Sequence, residues 1–290
     1  MSPTKGRGAD PRVALRGETE WVPSAEHTLE EWRKSLPQER ETVALKSTGR
    51  YAVTLLLPNS TLSRITTRNP VSDGQFFRTL KILAVADEVD TRLYGNRALR
   101  ARTTPDLILG AGDLPAYYLD YLVSKLDVPL YAIHGNHDAK APIEGSAGYE
   151  SCGAKWIGRR GVRVGGLLLA GFDGSLRYND GAYQYSQAEM FAAARSMVPW
   201  LLLNKARYGR YLDVLLTHAP PRGIHDQPDL CHRGFDAFNW LVRRFQPSYH
   251  LHGHIHLYDR RAESVTRVGA TDVMNVYPFR ELTLTVPDRL

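Results

Sequence analysis

The chain reads as an α/β layered fold built on a sheet that is at least partly parallel. Three observations predict this. Short apolar runs recur along most of the chain, amphipathic stretches of helical period separate them, and the runs end abruptly in Asp, Asn or His. Continuous apolar runs of this length imply strands covered on both faces, and strand–helix alternation lays helices over a parallel or mixed sheet.

The first 75 residues lack that rhythm. Residues 28–36 predict a short helix, because Thr28 and Glu31 have capping-box spacing and Leu29, Trp32 and Leu36 share a face. Residues 51–57 (YAVTLLL) predict a strand closed by Pro58 and Asn59, and 70–74 predict a turn. No chemistry is visible in this segment. Residues 1–75 are read as an N-terminal extension packed on or beside a main domain at 76–290, with a partner-binding arm as the alternative.

The main domain opens with KILAVA (81–86) and continues through DLILG (106–110), PLYAI (129–133), LLLAG (167–171), DVLLT (213–217) and YHLHG (249–253). Helical periodicity fills 116–126, 187–208 and 235–245. Segments 264–268, 272–276 and 281–286 alternate or are rich in β-branched residues, and they predict antiparallel strands finishing a sheet.

At 290 residues, 43% hydrophobic and 23% charged, the chain has the composition of an ordinary globular protein. No run reaches the roughly 18 apolar residues of a membrane helix. Residues 1–11 lack the apolar centre of a secretory signal, so a cytoplasmic location is expected. Cys152 and Cys231 stand in no metal-binding or redox spacing and read as free thiols. The net charge of +6 favours an anionic ligand such as a phosphate ester. With no Lys/Arg block and no aromatic stacking series, a nucleic-acid surface is not expected.

The ends of the apolar runs carry the chemistry. Asp87, Glu88 and Asp90 follow the first run, and Gly112-Asp113 follow the second. His134, then Gly135-Asn136-His137-Asp138, leave the third, His218 leaves DVLLT, and His254 and His256 leave YHLHG. In α/β sheets functional groups gather on the loops leaving the carboxyl ends of strands. Any one Asp or His there is an ordinary cap or hydrogen-bonded residue. Seven of them together, Asp87, Asp113, Asn136, His137, His218, His254 and His256, point instead to one metal-binding region.

The Asp87 motif, Gly112-Asp113, the GNHD of 135–138, the THAP of 217–220 and the GHIH of 253–256 resemble those of the calcineurin-like metallophosphoesterases, over roughly residues 80–290. The resemblance implies a four-layer α/β/β/α sandwich holding two divalent ions, with Mn favoured and Fe, Mg or Zn as alternatives. Carried over, Asp113 bridges the ions. Asn136, His218 and His254 complete one site, and Asp87 and His256 hold the other. His137 protonates the leaving oxygen while a metal-bound hydroxide attacks phosphorus in line. The implied substrate is a small phosphodiester or phosphomonoester of nucleotide type. A nuclease and a degenerate member that binds without turnover are the alternatives.

One departure bears on the first site. The family begins Asp-x-His, whereas this chain has Asp87-Glu88-Val89. Residues i and i+2 of a strand share a face, which puts Val89 where the histidine would stand. Glu88 or Asp90 substitutes as ligand, water fills a weak first site, or the site is empty. On the substrate side, Arg222 and Arg177 suit phosphate contact or are solvated surface groups. His225 and Asp226 line the cleft or pin their loop, and His232 is read as a loop pin.

Overall fold

In the computed structural model of the chain, residues 76–95, 104–138, 152–258 and 263–287 are described, together with short paired segments at 44–45, 53–54 and 68–70. The chain divides into units Met1–Arg64 and Ile65–Leu290. In the first, the described residues are β1 (Ala44–Leu45) and β2 (Val53–Thr54), an antiparallel pair. The helix expected at 28–36, the turn at 70–74 beyond Pro70 and most of the strand expected at 51–57 lie outside the described residues.

The second unit is organised by alternation along β4 (Phe76–Val85). Leu80, Ile82 and Ala84 face one core and Leu83 and Val85 the other, as the two-residue period of a doubly covered strand requires. β4 pairs in parallel with β5 (Leu107–Gly110), which continues to β6 (Leu130–Ala132) and β7 (Ala154–Trp156). β3 (Arg68–Pro70) lies antiparallel to the start of β4. A second sheet contains β8 (Arg160–Val164), β9 (Leu167–Phe172), β12 (Val214–Thr217), β13 (Tyr249–His252), β14 (Val265–Val268) and β15 (Thr271–Asn275), in the order β14-β15-β13-β12-β9-β8. β9, β12, β13 and β15 run parallel. β10 (Ser175–Leu176) and β11 (Gln184–Tyr185) form a short separate pair.

Among the described residues, three hydrophobic cores define four layers. One lies between the sheets, where Ile82, Leu109 and Ile133 meet Leu169, Val214, Leu216 and Leu251. A second joins the outer face of the second sheet to α2 (Gln187–Ser196), α3 (Val198–Tyr208) and α4 (Asp236–Phe245), through Phe172, Leu215, Met190, Leu201 and Phe238. The third packs Leu83, Ile108 and Leu130 beneath Tyr118, Leu119 and Leu122 of α1 (Ala116–Leu126). This is the expected α/β/β/α sandwich. Each fully buried Leu or Ile contributes on the order of 1.5–3 kcal/mol.

Two expectations are corrected. Residues 187–208 form two helices rather than one, because Pro199 in the first turn of α3 supplies no amide hydrogen to continue α2 past Met197. The tail does not complete one antiparallel sheet. β14 and β15 form an antiparallel pair, but β15 runs parallel to β13, and β16 (Phe279–Pro287) crosses to the first sheet and lies antiparallel along β4. All three segments carry the same local pattern, and partner choice is a long-range property that the pattern does not encode. Among the described residues, no helix is long and apolar enough to cross a membrane.

Candidate metal centre

The carboxyl ends of the parallel strands in both sheets meet at one edge, where backbone and side chain stitch the sheets together. Gly174 N–H after β9 donates to the His134 carbonyl after β6 (2.8 Å). His254 N–H after β13 donates to both carboxylate oxygens of Asp87 after β4 (3.0 and 2.9 Å). His137 N–H donates to Asp113 Oδ1 (2.8 Å), while its ring is exposed. The loops touch. Gly112 has φ +94°, and a Cβ there would come within 2.5 Å of the Gly135 nitrogen, while a Cβ on Gly135 would overlap the Asp113 carboxylate. Asp87, Asp113 and His254 themselves hold φ of +64°, +54° and +66°. Each costs on the order of 1–3 kcal/mol outside glycine, strain that clusters at functional sites.

Hydrogen bonding fixes how the donors face. His218 Nδ1 lies 2.8 Å from the Ala111 carbonyl, which only accepts, so Nδ1 carries the proton. His254 Nε2 lies 2.7 Å from the Cys231 carbonyl and is protonated for the same reason. The inward nitrogens, His218 Nε2 and His254 Nδ1, stand 3.1 Å apart. His218 Nε2 also lies 3.0 Å from Asn136 Oδ1 and 3.2 Å from Asp113 Oδ2. Asn136 turns its amide nitrogen to the Tyr178 hydroxyl (3.1 Å), which leaves its oxygen facing inward.

Four acceptor atoms therefore converge, a set that repels itself unless positive charge sits among them. The electrostatics agree. Burial alone would lower the His218 pKa, but Asp113, by charge and hydrogen bond, and Asp87 raise it above the ordinary value. Burial opposes ionisation of Asp113 as well, yet His218 and the His137 N–H bring it below the usual carboxylate range. Burial pushes Asp87 up to about 7, against the pull of His218 and with the repulsion of Asp113. Burial and His218 push His254 down to about 3. The pocket calls for a cation, and a proton on His218 is the minimal one. Imidazole, carboxylate and amide oxygen around that point fit a divalent ion, with the two backbone carbonyls orienting the rings from behind. Asp113, His218 and His254 bring ligand atoms within 4.8 Å of one another.

The other half of the centre is sparser. Asp87 Oδ1 stands 4.0 Å from His256 Nε2, the carboxylate being 1% exposed and the imidazole 41%. His256 stacks on Tyr277 (4.7 Å between centroids), and its Nδ1 meets the Tyr258 hydroxyl. The three residues after Asp87 are engaged elsewhere. Glu88 accepts from the Tyr277 hydroxyl, and Asp90 binds the Arg92 guanidinium and backbone. Val89 packs with the third core on the α1 side. The expected alternation does not apply here, because β4 ends at Val85 and Asp87 turns into the left-handed region.

The expected substrate residues are each engaged by other groups of the protein. Arg177 pairs with Glu189 and Arg222 with Asp236, all on the surface. Asp226 pins its loop through Gly223 N–H and Gly234 N–H (2.9 and 3.0 Å). His232 pins it through Asp229. Both ring nitrogens of His225 are engaged, with His252 and Thr266.

Three supporting residues carried no role in the sequence reading. Asp138 is buried and accepts from Gly135 N–H (2.8 Å) and Asp113 N–H (3.2 Å), locking the two ligand loops together. His250 and His252 lie buried under the cluster on β13. Burial pushes His250 down to about 3 and His252 well below its ordinary value, so both are neutral. The signal for Asp138 was its place inside GNHD. The two histidines were hidden because their positions read as ordinary strand interior.

The fold has a likeness among solved structures. One solved structure aligns over its whole length and 73% of this chain at 17% identity, with a TM-score of 0.51. The crystal structure of TT1561 of Thermus thermophilus covers 68% of this chain and 89% of its own at 16% identity, with a TM-score of 0.48. At 17% identity the first likeness speaks for the fold alone. None of the curated proteins matches the chain. The model of the calcineurin-like phosphoesterase family matches residues 71–258, well over half of the chain and the whole of the loop set described above, and the chain belongs to that family of metal-dependent phosphoester hydrolases.

Proposed function

We propose that the chain hydrolyses a small phosphodiester or phosphomonoester of nucleotide type, using Asp87, Asp113, Asn136, His218, His254 and His256 to hold two divalent ions, Mn favoured. The observation that carries this reading is the convergence of four acceptor atoms on one point, with ring tautomers set by the Ala111 and Cys231 carbonyls. When bound, such ions supply charge neutralisation at the phosphoryl oxygens and an acidified water as nucleophile for in-line displacement. The chain's own groups do the rest. Asp113 faces both halves of the centre, Tyr178 orients Asn136, and His137, exposed beside Asp113, donates a proton to the leaving oxygen. The thin donor set around Asp87 and His256 makes the first site the weaker one. Cys152 and Cys231 form no disulfide, which suits a reducing compartment, and we assign the action to the cytoplasm.

The test is hydrolysis of bis(p-nitrophenyl) phosphate and of cyclic nucleotides by chelator-stripped protein, with and without added Mn²⁺. Turnover that returns with Mn²⁺ supports the reading. A metal-replete protein inert toward every phosphate ester tried would favour binding without turnover.

A further inference from the structure

A line of hydrogen bonds runs from β14 to the loop that carries His254. Thr266 Oγ1 lies 2.8 Å from His225 Nε2, His225 Nδ1 lies 2.9 Å from His252 Nε2, and His252 Nδ1 lies 3.0 Å from the Gly253 carbonyl. The donor directions follow from one end. The Gly253 carbonyl only accepts, so His252 Nδ1 carries the proton and Nε2 of the neutral ring accepts. His225 Nδ1 must then donate, which leaves its Nε2 to accept from the Thr266 hydroxyl.

We propose that His225 is a positioning residue for the metal centre: through His252 it fixes the Gly253 peptide, and with it the angle at which His254 presents Nδ1. This rests on the cation reading of the cluster. His254 holds φ +66° and needs support from outside its own turn. The segment 222–235 gives that support twice. The Cys231 carbonyl orients the ring of His254 (2.7 Å), and His225 secures the backbone just before it. The segment is itself locked, because Asp226 ties Gly223 to Gly234. The peptide before that of the Gly253 carbonyl is held as well, the Gly253 N–H donating to the His218 carbonyl (3.1 Å). A rigid frame thus links two candidate ligands on neighbouring strands, and His225, at φ +58°, is strained into the conformation that completes it. With both ring nitrogens spent inside the protein, His225 is not a substrate contact.

The experiment is Mn²⁺ titration calorimetry on chelator-stripped full-length protein, comparing wild type with His225→Ala and His225→Asn. Removing an outer partner of a metal ligand typically weakens the metal about 10–100-fold, and that loss is expected for His225→Ala. The Asn variant keeps a donor near the Nδ1 position and is expected to recover most of it. A lowered melting temperature with an unchanged Mn²⁺ dissociation constant would overturn the proposal. If His225→Ala does not fold, Thr266→Val, which removes the hydroxyl that orients His225, is expected to weaken Mn²⁺ several-fold, and unchanged affinity overturns the proposal equally. The imidazole ¹⁵N spectrum of metal-free protein supplies an arm independent of the ion. His252 is expected as the pure Nδ1-protonated tautomer in wild type and as a mixture in His225→Ala, and a mixture in wild type would overturn the proposal. Wild type that takes up no Mn²⁺ while showing the expected tautomer would locate the failure in the cation reading.

Discussion

Asp138→Ala removes the buried carboxylate that accepts from Gly135 N–H and Asp113 N–H. Leaving a buried donor unpaired costs about 1–3 kcal/mol. Two such donors give about 2–6 kcal/mol, a large share of the roughly 5–15 kcal/mol that holds a typical domain folded. At about 2–4 °C per kcal/mol for a unit of this size, a 4 kcal/mol loss lowers the melting temperature by about 8–16 °C. Asp138→Asn retains a carbonyl oxygen at the same place and should recover much of this. Urea denaturation of both variants, read by far-UV circular dichroism in chelator, gives the difference without interference from metal. A loss below about 1 kcal/mol for the Ala variant would mean the two amides find other partners, and that Asp138 is not what joins the Asp113 and Asn136 loops.

Other perturbations separate the roles assigned at the site. Asp113→Ala is expected to lose bound metal and turnover together, as read by elemental analysis and hydrolysis of bis(p-nitrophenyl) phosphate; normal metal content would remove Asp113 from the centre. His137→Ala is expected to keep its metal and lose about 10²–10⁴-fold in kcat, the usual worth of a positioned acid; an unchanged rate would leave the proton donor unassigned. Away from the site, Ser186→Ala should cost about 1 kcal/mol by breaking the capping box of α2. In the same box, the Ser186 backbone and hydroxyl and then Arg177 hold Glu189 down to about 2. Because its folded pKa lies below the ordinary 4.5, its stabilisation is complete above that value and is lost as pH falls toward 2. Glu189→Gln should remove that part of the acid dependence of the melting temperature, and an identical acid profile would contradict it.

Local chemistry was legible in the sequence where it repeats along the chain. The six apolar runs became six strands, and Ala116–Leu126 became a helix with the limits its periodicity implies. The candidate ligands were legible because each stands within four residues of a strand end and the strands are parallel, so their exits share an edge. What was not legible depends on long-range pairing or on backbone angles. The path of β16 back to β4 could not be told from local alternation. Val89 was placed by extending a strand past its end, whereas Asp87 had already turned to φ +64°. Arg177 and Arg222 are candidates because each is a cation on a loop that leaves a strand end, and acidic neighbours on the surface engage them. For His225 the sequence leaves open whether it lines the cleft or pins its loop, and its contact with His252, 27 positions along the chain, is not visible in the local pattern.

The reading of the shared edge of the two sheets as a divalent-cation centre has a direct test. Elemental analysis of purified wild-type protein, before and after dialysis against Mn²⁺, tests it most directly. About one tightly retained ion per chain is expected in the His218–His254 site, and a second, weaker one after Mn²⁺ is supplied. Protein that retains no divalent metal and takes up none from millimolar Mn²⁺ would contradict it.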